Sequence, residues 1–329
     1  MPATEHPMRE GQFIKKHKER WDQYQQAPAE DPDELARRFA YLVDDLSFAK
    51  TFYPASNTTR YINTMAAKIY LDIYKNRKEK SQRLLTFWTT ELPLILFRYR
   101  RTLFVSFLFF VSFFLLGVLA SAMEPDFVRM VLSMDYVDMT EQNIANGDPF
   151  GVYKDGDPFL MFLFIAWNNV RVSLMMFGSG IFFGLGTLYL LFHNGVMVGA
   201  FEHMFYQHHL GAEFFLVVFI HGTLELSAVV IAACSGFVLG GSILFPGTYT
   251  RAQSLRRAAK DSVKIIVGLI PVFVIAAVFE SYVTRHTEMP LWLSLFILVS
   301  SLAFILFYFV LYPVRVFQNH RKNFIENAA

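Results

Sequence analysis

The stretch FFLVVFIHGTLELSAVVIAACSG, residues 214–236, decides the fold class because it is long and apolar enough to cross a membrane as a helix. It carries His221 and Glu225 near its middle, and residues i and i+4 lie on one face of a helix. Glu280 repeats the pattern in the run IIVGLIPVFVIAAVFESYV, residues 265–283. Ionisable groups inside a bilayer are costly and face protein or a watery cavity. The chain is therefore predicted to be a membrane protein with a buried polar cluster.

The composition supports a membrane protein in which a basic N-terminal region is followed by an acidic segment. Of 329 residues, 54% are apolar and 18% are charged, whereas soluble domains carry about 25% charged residues. Residues 1–101 hold 18 Lys and Arg against 13 Asp and Glu, while residues 123–158 hold eight acids against two basic residues. The lone cysteine, Cys234, excludes a disulfide within the chain. The first 30 residues lack the apolar core of a cleavable signal peptide.

Four regions follow from the pattern of apolar and charged residues. Residues 1–80 place apolar side chains at helical spacing among many charges, which predicts a small cytoplasmic helical domain. Residues 81–101 combine an apolar face with flanking arginines, which favours an elbow helix in the membrane interface over a core helix of the soluble domain. Residues 102–312 are predicted to be the transmembrane domain, with an acidic extracytoplasmic loop at 124–158. Residues 313–329 are predicted to be a cytoplasmic tail.

The distribution of basic residues predicts the orientation. Arginines precede the first span and the acidic loop follows it. The protein is therefore expected in a bacterial inner membrane with both termini on the cytoplasmic side. About six crossings are expected. Between residues 159 and 249 the apolar pieces are short, and they are interrupted at 168–171 and 193–195. The predicted fold class is therefore an all-α polytopic transmembrane helical bundle with broken or re-entrant helices, plus the N-terminal helical domain.

Three interpretations of His221, Glu225 and Glu280 stay open. They could form a hydrogen-bonded network that locks helices together, line a path for protons, ions or a polar ligand, or bind a metal. The sequence has no HExxH motif and no further ligand at a standard spacing. Further polar groups at the predicted membrane boundary are Asn168, Asn169, Arg171 and Asn194.

Other motifs are predicted to have structural roles. A glycine series predicts close helix packing and makes a homodimer an expected state; its members are Gly178, Gly180, Gly184 and Gly186. A second set of polar residues has the loose spacing of a polar loop; it comprises Glu202, His203, His208, His209 and Glu213. Hydrolase, nucleotide-binding and zinc-finger motifs are absent from the sequence. No catalytic residue, resident cofactor or nucleic-acid partner is therefore predicted, and a metal ion remains the alternative at the polar cluster.

Several segments, taken in order, resemble the stage II sporulation protein M family of integral membrane proteins. The segments are HGTLELSAVVIAACSGFVLGGSILFPG (221–247), AAVFESYVT (276–284) and NGVMVGA (194–200). REGQFIKKHKERW (9–21) and DDLSFAKTFYP (44–54) are similar to the cytoplasmic domain of its longer members. The resemblance covers most of the chain, and the family's intramembrane polar residues correspond to His221, Glu225 and Glu280.

The resemblance implies a non-enzymatic role. Sporulating members anchor or recruit partners of a membrane complex that remodels peptidoglycan, so a scaffold or assembly factor of a bacterial envelope complex is the leading expectation. The alternatives are a transporter or channel-like protein with a polar cavity at His221, Glu225 and Glu280, and an intramembrane metal-binding protein. A scaffold should hold these groups paired and dry, whereas a transporter should open them to water.

Overall fold

The described residues fold into helices. The computed structural model describes residues 8–26, 32–75, 83–124, 126–154, 156–286 and 289–326, and these ranges contain no strands. Parts of the predicted segments lie outside the described residues, namely 1–7, 27–31, 76–82, Pro125, Asp155, 287–288 and 327–329. The predicted all-α, polytopic fold class is confirmed. Two compact units meet in sequence between Leu84 and Leu85.

The first unit is a set of three amphipathic helices. They are α1 (Glu10–Gln26), α2 (Pro32–Phe52) and α3 (Asn57–Lys75). Apolar residues three or four positions apart put one stripe of each helix into a shared core; the core residues are Phe13, Trp21, Leu42, Ala49, Ile62, Met65, Ala66 and Ile69. A short helix, α4 (Arg83–Thr86), lies at the boundary between the units.

The second unit contains the long apolar helices. Its helices are α5 (Leu92–Arg98), α6 (Arg100–Met123), α7 (Phe127–Leu132), α8 (Met134–Ala145), α9 (Pro158–Ser179), α10 (Leu185–Gln207), α11 (Gly211–Leu244), α12 (Arg251–Val278), α13 (Leu291–Ile305) and α14 (Tyr312–Glu326). Wider π-helical turns occur at Phe87–Glu91, Phe279–Val283 and Leu306–Leu311, and a 3-10 turn occurs at Gly151–Tyr153. One π turn extends α12, and another joins α13 to α14.

Among the described residues, five helices are long and apolar enough to cross a membrane. They are Arg100–Met123, Pro158–Ser179, Gly211–Leu244, Arg251–Val283 and Leu291–Asn323. The remaining long helix, α10, has 23 residues, and its His193, Asn194 and Glu202 lower its hydropathy. It packs along α6 and α11; Asn194 and Glu202 are half-buried there, whereas His193 is exposed. The chain is therefore a multi-pass membrane protein.

The helix interruptions predicted between residues 159 and 249 are wrong in position. Asn168–Arg171 lies inside α9 and His193–Gly195 lies inside α10, and both helices are continuous there. The chain turns instead between α9 and α10, where Phe183 and Gly184 adopt positive φ angles of 55° and 83°. An unsatisfied backbone group costs several kcal/mol, on the order of 4, in a bilayer. Helices therefore persist through Asn and Gly wherever neighbouring helices accept these residues.

Glycines bring helix backbones into direct contact. A Cβ added at Gly236 would collide with the carbonyl oxygen of Met176 in α9, and one at Gly199 would collide with that of Phe114 in α6. A Cβ at Gly178, by contrast, would meet no atom within 4 Å. Because most of these glycines face neighbouring helices of the same chain, they no longer support the predicted homodimer, which stays a prediction.

The elbow segment packs against one end of the long helices. α5 buries its apolar side chains in the same core as α11 and α12. Arg98 pairs with Asp261 at 2.7 Å, and Lys264 pairs with Glu91 at 2.8 Å. The basic residues before α6 and those at the start of α12 therefore lie at the same end of the bundle.

The acidic segment folds over the other end and is named here the outer cap, residues 124–157. Its Phe150 stacks on Phe205 of α10 at 5.3 Å between ring centroids. Arg285, in the turn after α12, donates hydrogen bonds to the carbonyl oxygens of Lys154 and Gly156. The cap is thus an ordered part of the second unit, joined to the ends of the helices that carry the polar cluster.

Candidate functional site

Two helices bring the polar cluster together. His221 and Glu225 lie one turn apart on α11, and Glu280 lies in the π turn that extends α12. One potential ligand atom from each of the three residues lies within 4.8 Å of the others. His221 Nε2 and Glu280 Oε1 are 4.0 Å apart, which is longer than a hydrogen bond. The cluster is close-set but is not closed by a direct bond between His221 and Glu280.

A threonine that the sequence reasoning missed orients the histidine. His221 Nδ1 lies 3.1 Å from Thr284 Oγ1, and that hydroxyl donates to the carbonyl oxygen of Phe279 at 3.1 Å. Which of the two atoms donates depends on the tautomer of the imidazole. In the tautomer with its proton on Nδ1, His221 donates to Thr284 and carries its lone pair on Nε2, the nitrogen near Glu280.

One of the four predicted boundary residues joins the cluster. Asn169 of α9 is 5% exposed, and its side-chain amide lies beside the carboxyl group of Glu225. The amide nitrogen nevertheless lacks a hydrogen-bond partner of good geometry among the described residues. Asn168 and Arg171 are exposed on the same helix, while Asn194 bonds the Leu190 carbonyl oxygen of its own helix at 2.8 Å.

The outer cap lies next to the cluster. Burial, and after it the charge of Glu280, raise the pKa of Tyr136 in α8 to about 12, which places that ring close to the Glu280 carboxyl. Tyr136 also packs on Phe201 of α10 at 5.8 Å. Glu280 lies three residues before the end of its span at Val283. The cluster therefore sits near the cap end of the bundle and away from the elbow.

The remaining polar candidates stay apart from the cluster. Among the described residues, His221, Glu225 and Glu280 form the one group of three or more His, Cys, Asp or Glu side chains close enough to share a metal ion. The second polar set does not form such a group and is not one loop, since Glu202 and the buried His203 lie on α10 and Glu213 lies on α11. Cys234 is buried, with Sγ 4.0 Å from the Tyr99 carbonyl oxygen, which is an ordinary role for a lone thiol in a core.

The cluster combines side-chain types that can bind a cation. One imidazole lone pair and two carboxylates are acceptors, and they converge from two helices. His221 is 4% exposed, whereas the Glu280 side chain is 17% exposed. Thr284 follows Glu280 by four residues, a spacing that the sequence displays. Tyr136 comes from a separate segment and had no sequence signal that linked it to the cluster.

Comparisons with known proteins cover both units. A family profile described as stage II sporulation protein M matches residues 106–285, which include the whole cluster, and one described as a domain of unknown function (DUF8413) matches residues 11–75. An uncharacterized protein of Methanocaldococcus jannaschii is 30% identical over 122 residues, which are 36% of this chain and 68% of that protein. No solved structure gives a significant match.

Proposed function

The chain belongs to the stage II sporulation protein M family, and from that premise we propose that it is a non-enzymatic membrane scaffold that assembles partners of a bacterial envelope complex. The relative in Methanocaldococcus jannaschii is uncharacterized, so sporulation itself forms no part of the proposal. The observation that carries the proposal is the ordered outer cap. A folded acidic surface on a membrane bundle is a fixed platform for a protein with a basic surface.

The charges of the cap divide into paired and unpaired sets. Asp138 and Glu141 both pair with Arg129, and Asp148 pairs with Lys154. The Asp157 side chain accepts hydrogen bonds from the first amides of α9. The acids that stay exposed, with no ion pair among the described residues, are Glu124, Asp126 and Asp135. These three acids form the surface that we assign to partner binding.

The arrangement of charges supports a topology for this scaffold. The elbow arginines and the basic start of α12 share one end, and the acidic cap lies at the other. The positive-inside rule favours the first end in the cytoplasm. We propose six crossings in the inner membrane, by α6, α9, α10, α11, α12 and α13 with α14, with both termini and the first unit in the cytoplasm and the elbow in the interface.

Transport is the less favoured function. The helices are continuous at the positions where breaks were expected to enclose a passage, and Tyr136 of the cap lies close to Glu280. The first unit gives the scaffold a second surface for partners, because it is compact on its own and exposes aromatic side chains such as Tyr61 and Tyr70.

Site-specific photocrosslinking in native membranes tests the scaffold proposal. A photoreactive residue at Asp135 and another at Tyr61 should each give ultraviolet-dependent protein adducts. The triple variant Glu124→Lys, Asp126→Lys, Asp135→Lys, with the probe moved to Met134, should lose the cap adduct and keep the Tyr61 adduct. A probe at Phe164, which is exposed on the apolar face of α9, is the control and should give no charge-dependent adduct.

Two results would contradict the proposal. One is the absence of a protein adduct from both surfaces while the chain remains folded and in the membrane. The other is ion or solute flux in reconstituted vesicles that Glu225→Gln abolishes and Glu213→Gln preserves, because that outcome assigns transport to the cluster.

A further inference from the structure

We propose that His221, Glu225 and Glu280 bind a divalent transition-metal ion, with Zn²⁺ the best match, at the cap end of the bundle. The three groups supply one nitrogen and two carboxylate oxygens, a donor set that zinc accepts together with an open fourth position. Tetrahedral zinc ligands lie about 3.3 Å apart, given bond lengths near 2.0 Å. The atoms of this cluster, within 4.8 Å of one another, reach that geometry by small side-chain rotations.

The hydrogen bond of His221 to Thr284 is the kind that a metal-binding histidine makes with its second nitrogen. With its proton on Nδ1 and directed at Thr284, the ring presents the Nε2 lone pair toward the side of Glu280. In that tautomer a cation placed between Nε2 and the Glu280 carboxylate, which are 4.0 Å apart, would be attracted to both groups. An imidazole whose second nitrogen donates to a fixed oxygen is the usual arrangement of a metal-binding histidine.

Asn169 supplies an independent observation. Its amide nitrogen is buried, has no hydrogen-bond partner of good geometry among the described residues, and lies beside Glu225. A donor in that position can hold the carboxylate oxygen that does not bind the ion, as outer ligands of metal sites do. Three helices, α9, α11 and α12, would then share one centre.

The two carboxylates have no basic partner of their own. Among the described residues, neither Glu225 nor Glu280 forms an ion pair with lysine or arginine. The nearest arginine in sequence, Arg285, is instead bonded to carbonyl oxygens of the cap. A cation would neutralise this pair, and the acidic cap above it raises the local concentration of cations. The partial exposure of the Glu280 side chain, 17%, gives the ion an approach from that side.

Metal binding goes beyond the proposed scaffold function, and either proposal can fail while the other holds. A bound ion would link α11 to α12 whether or not the cap binds a partner. The photocrosslinking experiment above and the metal titration below therefore give independent answers.

Metal binding is tested on the full chain without an affinity tag, in lipid nanodiscs. The protein is stripped with a chelator, exchanged into chelator-free buffer, and titrated with Zn²⁺ by calorimetry, with elemental analysis of the washed sample. We expect one tightly bound Zn²⁺ per chain. Co²⁺ should bind at the same place and give the visible absorption bands of a low-symmetry four- or five-coordinate site.

Matched variants separate the cluster from other ligands. Glu280→Gln and Glu225→Gln should each weaken Zn²⁺ binding by at least about 10-fold. Glu213→Gln, the same change on the exposed start of α11, should leave binding unchanged, as should the double variant His208→Ala, His209→Ala. Thr284→Val removes the hydroxyl that orients His221 and should weaken binding by about 10- to 100-fold without removing a ligand.

A stability measurement separates the misfolding of a variant from a loss of metal binding. Thermal unfolding of each metal-free variant is recorded first, and only variants that melt as wild type does are compared. Absence of Zn²⁺ and Co²⁺ binding to folded wild type would overturn the proposal. Equal binding by wild type, Glu280→Gln and Thr284→Val would overturn it as well, because the ion would then reside elsewhere.

Discussion

The two units of this protein bury acids in opposite ways. In the first unit, Asp45 is 6% exposed and accepts hydrogen bonds from Arg20 Nη2 and Trp21 Nε1, both at 2.7 Å or less. In the second unit, Glu280 lies 4.0 Å from His221 and has no lysine or arginine partner among the described residues. Charged and polar donors of its own unit therefore hold the first acid, whereas no lysine or arginine of the described residues holds the second.

Asp45 therefore has the partners of an acid that stabilises the fold, whereas Glu280 has the surroundings of an acid that can bind a cation. A buried charge with a full set of partners is costly to disturb, because removing it strands the donors around it. Two carboxylates facing a histidine lone pair gain nothing from one another. Removing one of them should therefore cost the fold little and cost the binding of a cation a great deal.

Asp45→Ala tests the satisfied acid and should have the largest effect on stability. It leaves Arg20 and Trp21 without their acceptor, and it should destabilise the first unit by about 2 to 3 kcal/mol. Hydrogen exchange followed by mass spectrometry on the full chain should show faster exchange in α1 and α2. Asp44→Ala, an adjacent exposed acid, is the control. Equal hydrogen-exchange rates in Asp45→Ala and Asp44→Ala would contradict the claim that Asp45 and its partners stabilise the first unit.

Gly236→Ala tests the same contrast in packing and should have an intermediate effect. The first unit fills its core with aromatic and aliphatic side chains, whereas α11 approaches α9 so closely that a Cβ at Gly236 would strike the Met176 carbonyl oxygen. We expect a loss of about 2 kcal/mol, measured by thermal unfolding in detergent. Gly241→Ala on the same helix meets no atom within 4 Å and should be neutral or stabilising by up to about 1 kcal/mol. A melting temperature for Gly236→Ala at or above that of Gly241→Ala would contradict the packing argument.

Glu280→Gln tests the acid without a lysine or arginine partner and should have the smallest effect on stability. In the presence of chelator it should change the free energy of unfolding by less than about 1 kcal/mol, or raise it, because it relieves the cost of a charge in apolar surroundings. Urea or thermal unfolding in the same nanodiscs measures this, with Glu213→Gln as the reference. A loss as large as that of Asp45→Ala would mean that Glu280 is already fully partnered and would weaken the case for a metal.

Much of the fold followed from apolar periodicity, and the exceptions have a common cause. Long apolar runs predicted the spans around His221 and Glu280, and the i, i+4 rule placed His221 and Glu225 on one face. The polar interruptions were misread as helix ends, because in water Asn and Gly weaken a helix. In the bundle, Gly195 allows α6 to approach, and Asn194 bonds its own helix.

The candidate site was only partly visible in the sequence for a related reason. His221, Glu225 and Glu280 stand out because each is ionisable within an apolar run. Asn169 was assigned to the membrane boundary, since its neighbour Arg171 is charged. Which way each side chain faces depends on the rotation of α9 against α11, and that rotation is set by contacts between distant residues. The position of Tyr136 next to the cluster likewise depends on how the cap folds back onto the helices.

A change of one residue in the π turn at Phe279–Val283 would alter the polar cluster and leave the membrane span intact. Its amide-to-carbonyl bond from Thr284 to Phe279, at 2.8 Å, closes a loop one residue longer than an α turn. Deletion of one residue there would restore an ordinary α turn and keep the hydrophobic length of the span. It would also shorten the segment that carries Glu280 and Thr284, while the residues on either side of the turn keep nearly the same faces, because a π turn holds one residue more than an α turn. A descendant of this chain with that deletion would keep the hydropathy profile of a family member and lose the π turn that carries Glu280, so the length of this turn is a marker for which relatives share the site.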